Sequence, residues 1–264
     1  MKACVFGLGE AGSLIAADLA AGGVEVHGYD PAPVPTPACV VRHDDPRVAA
    51  GGAGLVLAVT GAADAPVALA QALDSIPAGS VYADLATGSA GLKRDLAAQA
   101  VGAGLGFADV ALMAPVAGRG LRTPALVSGP AAGKFVALLA PLGMPVEHAG
   151  EEPGAAATRK LLRSIVIKGL TAVVMESLRA AEAAGLATET WDNIVASLSA
   201  ADEAFVRRLV EGTPRHAARR VHEMEAAATL LEELGVPPTM TRATTQHLRQ
   251  VVASGPGVEG LPVA

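Results

Sequence analysis

Three cations interrupt an otherwise apolar run, ATRKLLRSIVIKGLTAVVMES, between Ala157 and Ser177: Lys160, Arg163 and Lys168. The surrounding Leu, Ile and Val suit a long helix with a buried face, where an unpaired ammonium is costly. Either the cations form a solvated edge or they do chemistry. An ammonium beside a reacting oxygen can donate a proton to a developing alkoxide and stabilise its charge. On a helix, positions 160, 164 and 168 advance by about 40° and about 6 Å per step. Lys160, Ser164 and Lys168 therefore form one slanting stripe. Lys168 can line the same wall as Lys160 without reaching the same atom. Two readings of Lys168, second catalytic cation and surface lysine, stay open, and Arg163 has no assigned role.

A second chemical pattern lies near the N-terminus. KACVFGLGEAG sets Gly7, Gly9 and Gly12 in the spacing G-x-G-x-x-G, after a strand-like run and before a helical one. That context is what pyrophosphate binding needs. Gly7 allows a tight turn, Gly9 lets backbone approach the phosphates, and Gly12 lets helix and strand pack closely. Leu8, Glu10 and Ala11 complete the candidate cofactor turn. Asp30 follows Gly12 by 18 residues and ends VEVHGYD, where a carboxylate accepts hydrogen bonds from a ribose diol. The carboxylate repels a 2′-phosphate, and Pro31 supplies no compensating cation. NAD is thus favoured; Arg42, on a loop that could fold back, keeps NADP open.

Elements to carry these residues can be read from the alternation of patterns. Strand-like runs at Ala3–Phe6, Glu25–Tyr29, Leu55–Val59, Ser80–Ala83 and Gly106–Ala111 alternate with helical segments at Ser13–Ala21, Ala65–Leu73 and Leu92–Ala103. The pitch predicts a doubly wound parallel sheet of the Rossmann type over residues 1–152. Beyond GEEPG the 3.6-residue period dominates. An all-α domain is expected over 153–264, joined to the first by one helix from Ala155 to Gly185 and followed by helices at Glu189–Ser199, Ala201–Glu211, His216–Leu234 and Arg242–Ala253. Breaks are expected at GTP, GVPP and SGPG.

Composition narrows the function classes. The 264 residues are 51% hydrophobic and 17% charged, with net charge −6, which leaves no electrostatic footprint for nucleic acid. Aromatics at 3% are too few for a base-stacking platform. Mean hydropathy is +0.41, yet the longest uncharged stretch, Val48–Ala63, has 16 residues and is interrupted by glycines, too short for a membrane span. Met1-Lys2 runs at once into ACVF, so no signal peptide is expected. Cys4 and Cys39 make no disulfide or metal pattern, and no histidine pair has ligand spacing. The expected setting is the cytoplasm, without a metal.

The glycine turn, the α/β half and the lysine-bearing helix leading into an all-α half resemble the β-hydroxyacid dehydrogenases. That group includes 3-hydroxyisobutyrate and 6-phosphogluconate dehydrogenases, and RHAARRVHEMEAAATLLEELGVPPTMT resembles an uncharacterised 6-phosphogluconate dehydrogenase-like branch of it. The family's catalytic segment runs G-x-x-A-x-K, with Asn four residues and Glu sixteen residues after the lysine. GAAATRKLLRSIVIKGLTAVVMES places Lys160, Ser164 and Glu176 at those positions without a gap. The resemblance implies that Lys160 is the general acid/base. Ser164 replaces the asparagine with a shorter donor and acceptor.

Further site residues follow from the same resemblance. The family's substrate loop D-A-P-V-S-G-G corresponds to DVALMAP, so Met113, Ala114 and Pro115 stand where Ser-Gly-Gly would hold a carboxylate. The hydroxyl is gone, and Pro115 has no N–H to donate. Arg119 and Arg122 can bind an anionic group instead, or are solvated loop residues. DLATGS implies that Thr87 contacts the nicotinamide end, and Val59 and Thr60 are further cofactor candidates. VHEMEAAA puts His222 at a family lysine position near the nicotinamide, or on a helix surface.

The leading reading is an NAD(P)-dependent oxidoreductase acting on a small hydroxy/oxo compound. An imine reductase shares the architecture but usually lacks the lysine; the apolar Met113–Pro115 loop favours it. A non-catalytic dinucleotide-binding sensor is the third reading. Relatives bury the all-α half against a second subunit, so a homodimer is expected.

Overall fold

The computed structural model describes residues 1–255; the last part of the SGPG break and of the 153–264 domain expectation lies outside the described residues. Among them a sheet of eight strands is formed by β1 (Lys2–Phe6), β2 (Glu25–Tyr29), β3 (Val41–His43), β4 (Leu55–Ala58), β5 (Val81–Asp84), β6 (Gly106–Leu112), β7 (Ala125–Ser128) and β8 (Val146–His148). Their spatial order is β3-β2-β1-β4-β5-β6-β7-β8. All neighbours are parallel except β6 and β7. The order reverses between β1 and β4, the point where an open α/β sheet leaves a crevice at its strands' carboxyl ends.

Helices α1 (Glu10–Ala21), α2 (Pro46–Ala50), α3 (Ala65–Ala72), α4 (Ala90–Gly102) and α5 (Ala132–Leu139) cover this sheet. The two faces carry separate cores. One gathers Val5, Leu19, Leu57 and Phe135; the other gathers Phe6, Leu69, Tyr82 and Phe107. Strand neighbours alternate between these clusters, as a sheet buried on both faces requires. Cys4 lies in β1, where burial pushes its thiol up to about 12, against a smaller opposing effect of Lys2; it is an inert core residue.

The chain gathers into two compact units, residues 1–164 and residue 165 onward. The division falls inside α6 (Ala155–Ala183), the long helix expected from the sequence. The second unit is all helical, with the rest of α6, α7 (Ala187–Ser199), α8 (Glu203–Glu233) and α9 (Thr239–Ser254).

Three strands were not expected. β3 and β8 have three residues each, and β7 is a four-residue strand within a run that also reads as loop. The expected break at GTP is absent. α8 continues through Pro214, although proline removes one backbone donor. Neighbouring side chains stitch that region: Thr213 Oγ1 donates to the Leu209 carbonyl at 2.5 Å, and Arg220 donates to Thr213 Oγ1 at 2.6 Å. The GVPP break is present, with Gly235 left-handed at φ 71° between α8 and α9.

Candidate functional site

β1 ends at Phe6, and Gly7 turns the chain with φ 85°. A Cβ there would lie 2.3 Å from the Val59 carbonyl oxygen, and one at Gly12 would lie 1.8 Å from that of Gly7. The fold itself therefore demands these two glycines. Gly9 is different. Its φ of −63° is ordinary, and a Cβ there would meet no protein atom within 4 Å. Packing does not need glycine at this position; close approach of a ligand does. Gly9 precedes α1 without giving it a side-chain cap, so the first-turn amides of that helix face a potential anion.

Asp30 stands just beyond β2. Its Oδ2 accepts the Leu8 amide at 2.7 Å and its Oδ1 the Ala32 amide at 2.8 Å, which ties the glycine turn to the following loop. The Leu8 side chain itself is buried in the core. Arg42 lies on β3 rather than on a loop, and its side chain reaches the residues after β2. Its guanidinium donates to the carbonyls of Asp30 at 2.8 Å, Ala32 at 2.6 Å and Val34 at 2.8 Å, and to Thr36 Oγ1 at 3.1 Å. It holds the 30–36 loop by main-chain acceptors.

Val59 and Thr60 follow β4 at the switch point, and the Val59 amide donates to the Phe6 carbonyl at 2.7 Å. The Thr60 hydroxyl is buried without a protein partner. Thr87 is exposed in the loop from β5 to α4, where Ser89 caps α4 by accepting the Leu92 amide at 3.2 Å. Gly7, Asp30, Val59, Thr60 and Thr87 thus share the carboxyl edge of the parallel strands.

Met113 follows β6. Its amide donates to the Pro124 carbonyl at 2.7 Å, and its carbonyl accepts from Arg163. Ala114 is half-buried and Pro115 exposed. Arg119 is exposed next to a short 3₁₀ turn, Gly120–Arg122, which docks on α1 through Asp18 accepting the Leu121 amide at 2.8 Å. Lys160 and Ser164 are half-buried on the first part of α6, and Arg163 between them binds the substrate-loop candidate. Lys168 and His222 belong to the second unit. Lys168 is exposed on α6; His222 is exposed on α8 and faces Glu225 at 3.3 Å.

A buried polar cluster was missed from the sequence. Lys93, fully buried on α4, places its ammonium 2.8 Å from Asp84 Oδ2, 3.1 Å from Asp109 Oδ1 and 3.0 Å from the Asp84 carbonyl oxygen. The ammonium pairs with both carboxylate oxygens by charge, while its hydrogen bond goes to the Asp84 carbonyl. Burial pushes the Asp84 carboxyl above its ordinary range, and Lys93 works against that rise. A signal did exist: Lys93 shares the spacing of the apolar face Leu96, Ala97 and Ala100. Glu176, matched by spacing to the family's glutamate, is 8% exposed and serves the start of α9.

A doubly wound dinucleotide fold with an all-helical C-terminal unit is the class these features define. A family model described as a domain of unknown function, DUF1932, matches residues 181–251. No curated protein sequence matches the chain. Among solved structures, a conserved hypothetical protein from Sinorhizobium meliloti is 29% identical, covering 100% of this chain and 92% of its own, with TM-score 0.61. The conserved protein MTH1747, described as structurally similar to 3-hydroxyacid dehydrogenases, is 25% identical, covering 97% of this chain and 99% of its own, with TM-score 0.60. An imine reductase from Myxococcus stipitatus in complex with NADP+ is 20% identical over 97% of this chain and 96% of its own, with TM-score 0.79; it shares the fold. The chain is thus similar over its whole length to proteins of the 3-hydroxyacid dehydrogenase-like and imine reductase fold, and part of its helical half matches the DUF1932 model.

Proposed function

We propose that the protein is an NAD(P)-dependent oxidoreductase, with Lys160 as general acid/base toward a small hydroxy/oxo compound. The observation that carries this reading is Gly9, a glycine that neither packing nor backbone conformation requires, at the open N-terminus of α1. The residues present fit a nicotinamide dinucleotide. First-turn amides of α1 would hold its pyrophosphate, Asp30 its adenosine ribose, and the unpartnered Thr60 hydroxyl a polar group at the switch point. Bound there, a nicotinamide supplies or accepts hydride. The ammonium of Lys160 holds the proton for the substrate oxygen and stabilises negative charge as it develops. Ser164, one turn further on, orients the substrate by hydrogen bonding, and Thr87 bounds the nicotinamide end.

Asp30 favours NAD, and the main-chain carbonyls that engage Arg42 leave that guanidinium committed to the loop. Met113, Ala114 and Pro115 make an apolar substrate wall, with Arg119 as the nearby anion-binding candidate. The same wall favours imine reduction as a second reading, as does the fold likeness to imine reductases.

A homodimer is part of the proposal. Ile165 and Val166 on α6 are 69% and 66% exposed, and Trp191 on α7 is 55% exposed. Apolar surface of this density on one unit fits an interface with a second copy. Among the described residues no helix is long and apolar enough to cross a membrane. The two free cysteines suit the proposed cytoplasmic setting.

The test is a panel of hydroxy acids, aldehydes and cyclic imines with NAD(H) and NADP(H), followed by nicotinamide absorbance. Lys160→Met is expected to lower turnover of the best carbonyl substrate by roughly 10²- to 10⁴-fold. Cofactor binding without turnover of any compound would sink the enzyme reading in favour of a sensor. Turnover confined to imines and indifferent to Lys160→Met would establish the second reading.

A further inference from the structure

We propose that Asp109 and Ser128 are positioning residues for Lys160: together they cap the helix that carries it and fix its register against β6. The inference rests on the reading of Lys160 as acid/base. Helix α6 begins after Gly154, which has no side chain to cap it and cannot gain one. A Cβ there would lie 2.8 Å from Ala90, and its φ is 97°. The orphan amides of the first turn therefore need acceptors from elsewhere. Asp109 Oδ2 accepts the amides of Gly154 at 3.1 Å and Ala157 at 3.0 Å, and Ser128 Oγ accepts that of Ala156 at 3.0 Å. Ser128 in turn donates to Asp109 Oδ2 at 3.1 Å.

Strand register assembles this cap. The antiparallel pairing of β6 with β7 sets Asp109 opposite Ser128, and the parallel pairing of β5 with β6 sets Asp84 beside Asp109. Paired residues on adjacent strands point to one face, so two carboxylates meet there. Lys93 enters between them from α4 and offsets their repulsion. Asp109 also stands at the N-terminal, positive end of the α6 dipole. Three residues past Ala157 comes Lys160, and three further on Arg163 ties the same helix to the Met113 carbonyl. Lys160 is thus bracketed by two attachments to β6 and the residue that follows it.

The experiment reads the lysine itself rather than turnover. The chain has few lysines, Lys2, Lys93, Lys134, Lys160 and Lys168, so reductive ¹³C-methylation of the full-length protein gives a sparse NMR spectrum. The Lys160 signal is identified by its loss in Lys160→Arg. In Ser128→Ala it is expected to move by more than a linewidth. Ser128→Cys, of similar size and a weak acceptor, should give the same displacement and serves if the alanine variant does not fold. Leu69→Ala, a core truncation on α3 that lowers melting temperature without touching the cap, should leave the signal in place. An unmoved signal in both Ser128 variants, or an equal displacement in Leu69→Ala, would overturn the positioning role. Turnover by Lys160→Met decides the acid/base reading separately, because the spectrum is indifferent to whether the lysine reacts.

Discussion

Glu176 binds Thr241 twice: Oε1 accepts both the Thr241 amide at 2.8 Å and its hydroxyl at 2.7 Å, while Oε2 accepts the Met240 amide at 2.7 Å. A carboxylate on α6 thereby caps α9 across 65 residues of sequence. Burial raises its pKa, but the Thr241 hydroxyl and the amides of Met240, Thr241 and Thr239 outweigh that and hold it below the usual carboxylate range. A depressed folded pKa contributes stability above the unfolded value of 4.5 and loses it as pH falls through the folded value. The melting temperature of the wild type should fall with acidification in that window. Glu176→Gln should be destabilised at neutral pH by about 1–3 kcal/mol and show a flatter pH profile there.

Gly9 and Gly12 should part company on replacement by alanine. Gly9→Ala should keep its melting temperature, with a stability change within about 1 kcal/mol, yet lose NADH binding measured by fluorescence titration. Gly12→Ala forces a contact of 1.8 Å with the Gly7 carbonyl and should fail on stability first.

Arg42 separates loop-holding from phosphate recognition. If its bonds to the carbonyls of Asp30, Ala32 and Val34 order the adenosine-side loop, Arg42→Ala should weaken NADH and NADPH alike, by about 1 kcal/mol or roughly fivefold. A loss confined to NADPH would mean that the guanidinium recognises the 2′-phosphate. Asp30→Ser should shift the NADH-to-NADPH affinity ratio towards NADPH.

Removing the buried ammonium should be severe. Lys93→Met leaves Asp84 and Asp109 facing each other without a cation, at a cost of about 3–5 kcal/mol in denaturant unfolding. Asp84 already has a raised pKa, burial being the chief cause. A raised folded pKa favours the folded state as pH falls, because the buried carboxyl then takes its proton more readily than the unfolded one. The gap between variant and wild type should narrow on acidification.

Much of the first unit was legible because its signals are local. A strand followed by the turn at Gly7, a helix beginning after Gly9 and an acidic residue just past the next strand each depend on a few neighbouring residues. The long helix α6 was legible for the same reason. β7 was not, since a four-residue strand takes its identity from the partner it pairs with. Pro214 misled because α8 runs through it despite the lost backbone donor, a continuity that no local rule for proline predicts.

The candidate site divides along the same line. Sequence alone determined the glycine turn, Asp30 and the spacing of Lys160, Ser164 and Glu176, because turn conformation and helical periodicity are written in adjacent positions. Tertiary structure decided what those residues touch. Asp84, Lys93, Asp109 and Ser128 became one cluster at the start of α6 through strand register, and Glu176 became a helix cap through packing within the second unit. Register and packing set which charges are buried together. That is a property of distant segments brought into contact, and no short stretch of the chain contains it.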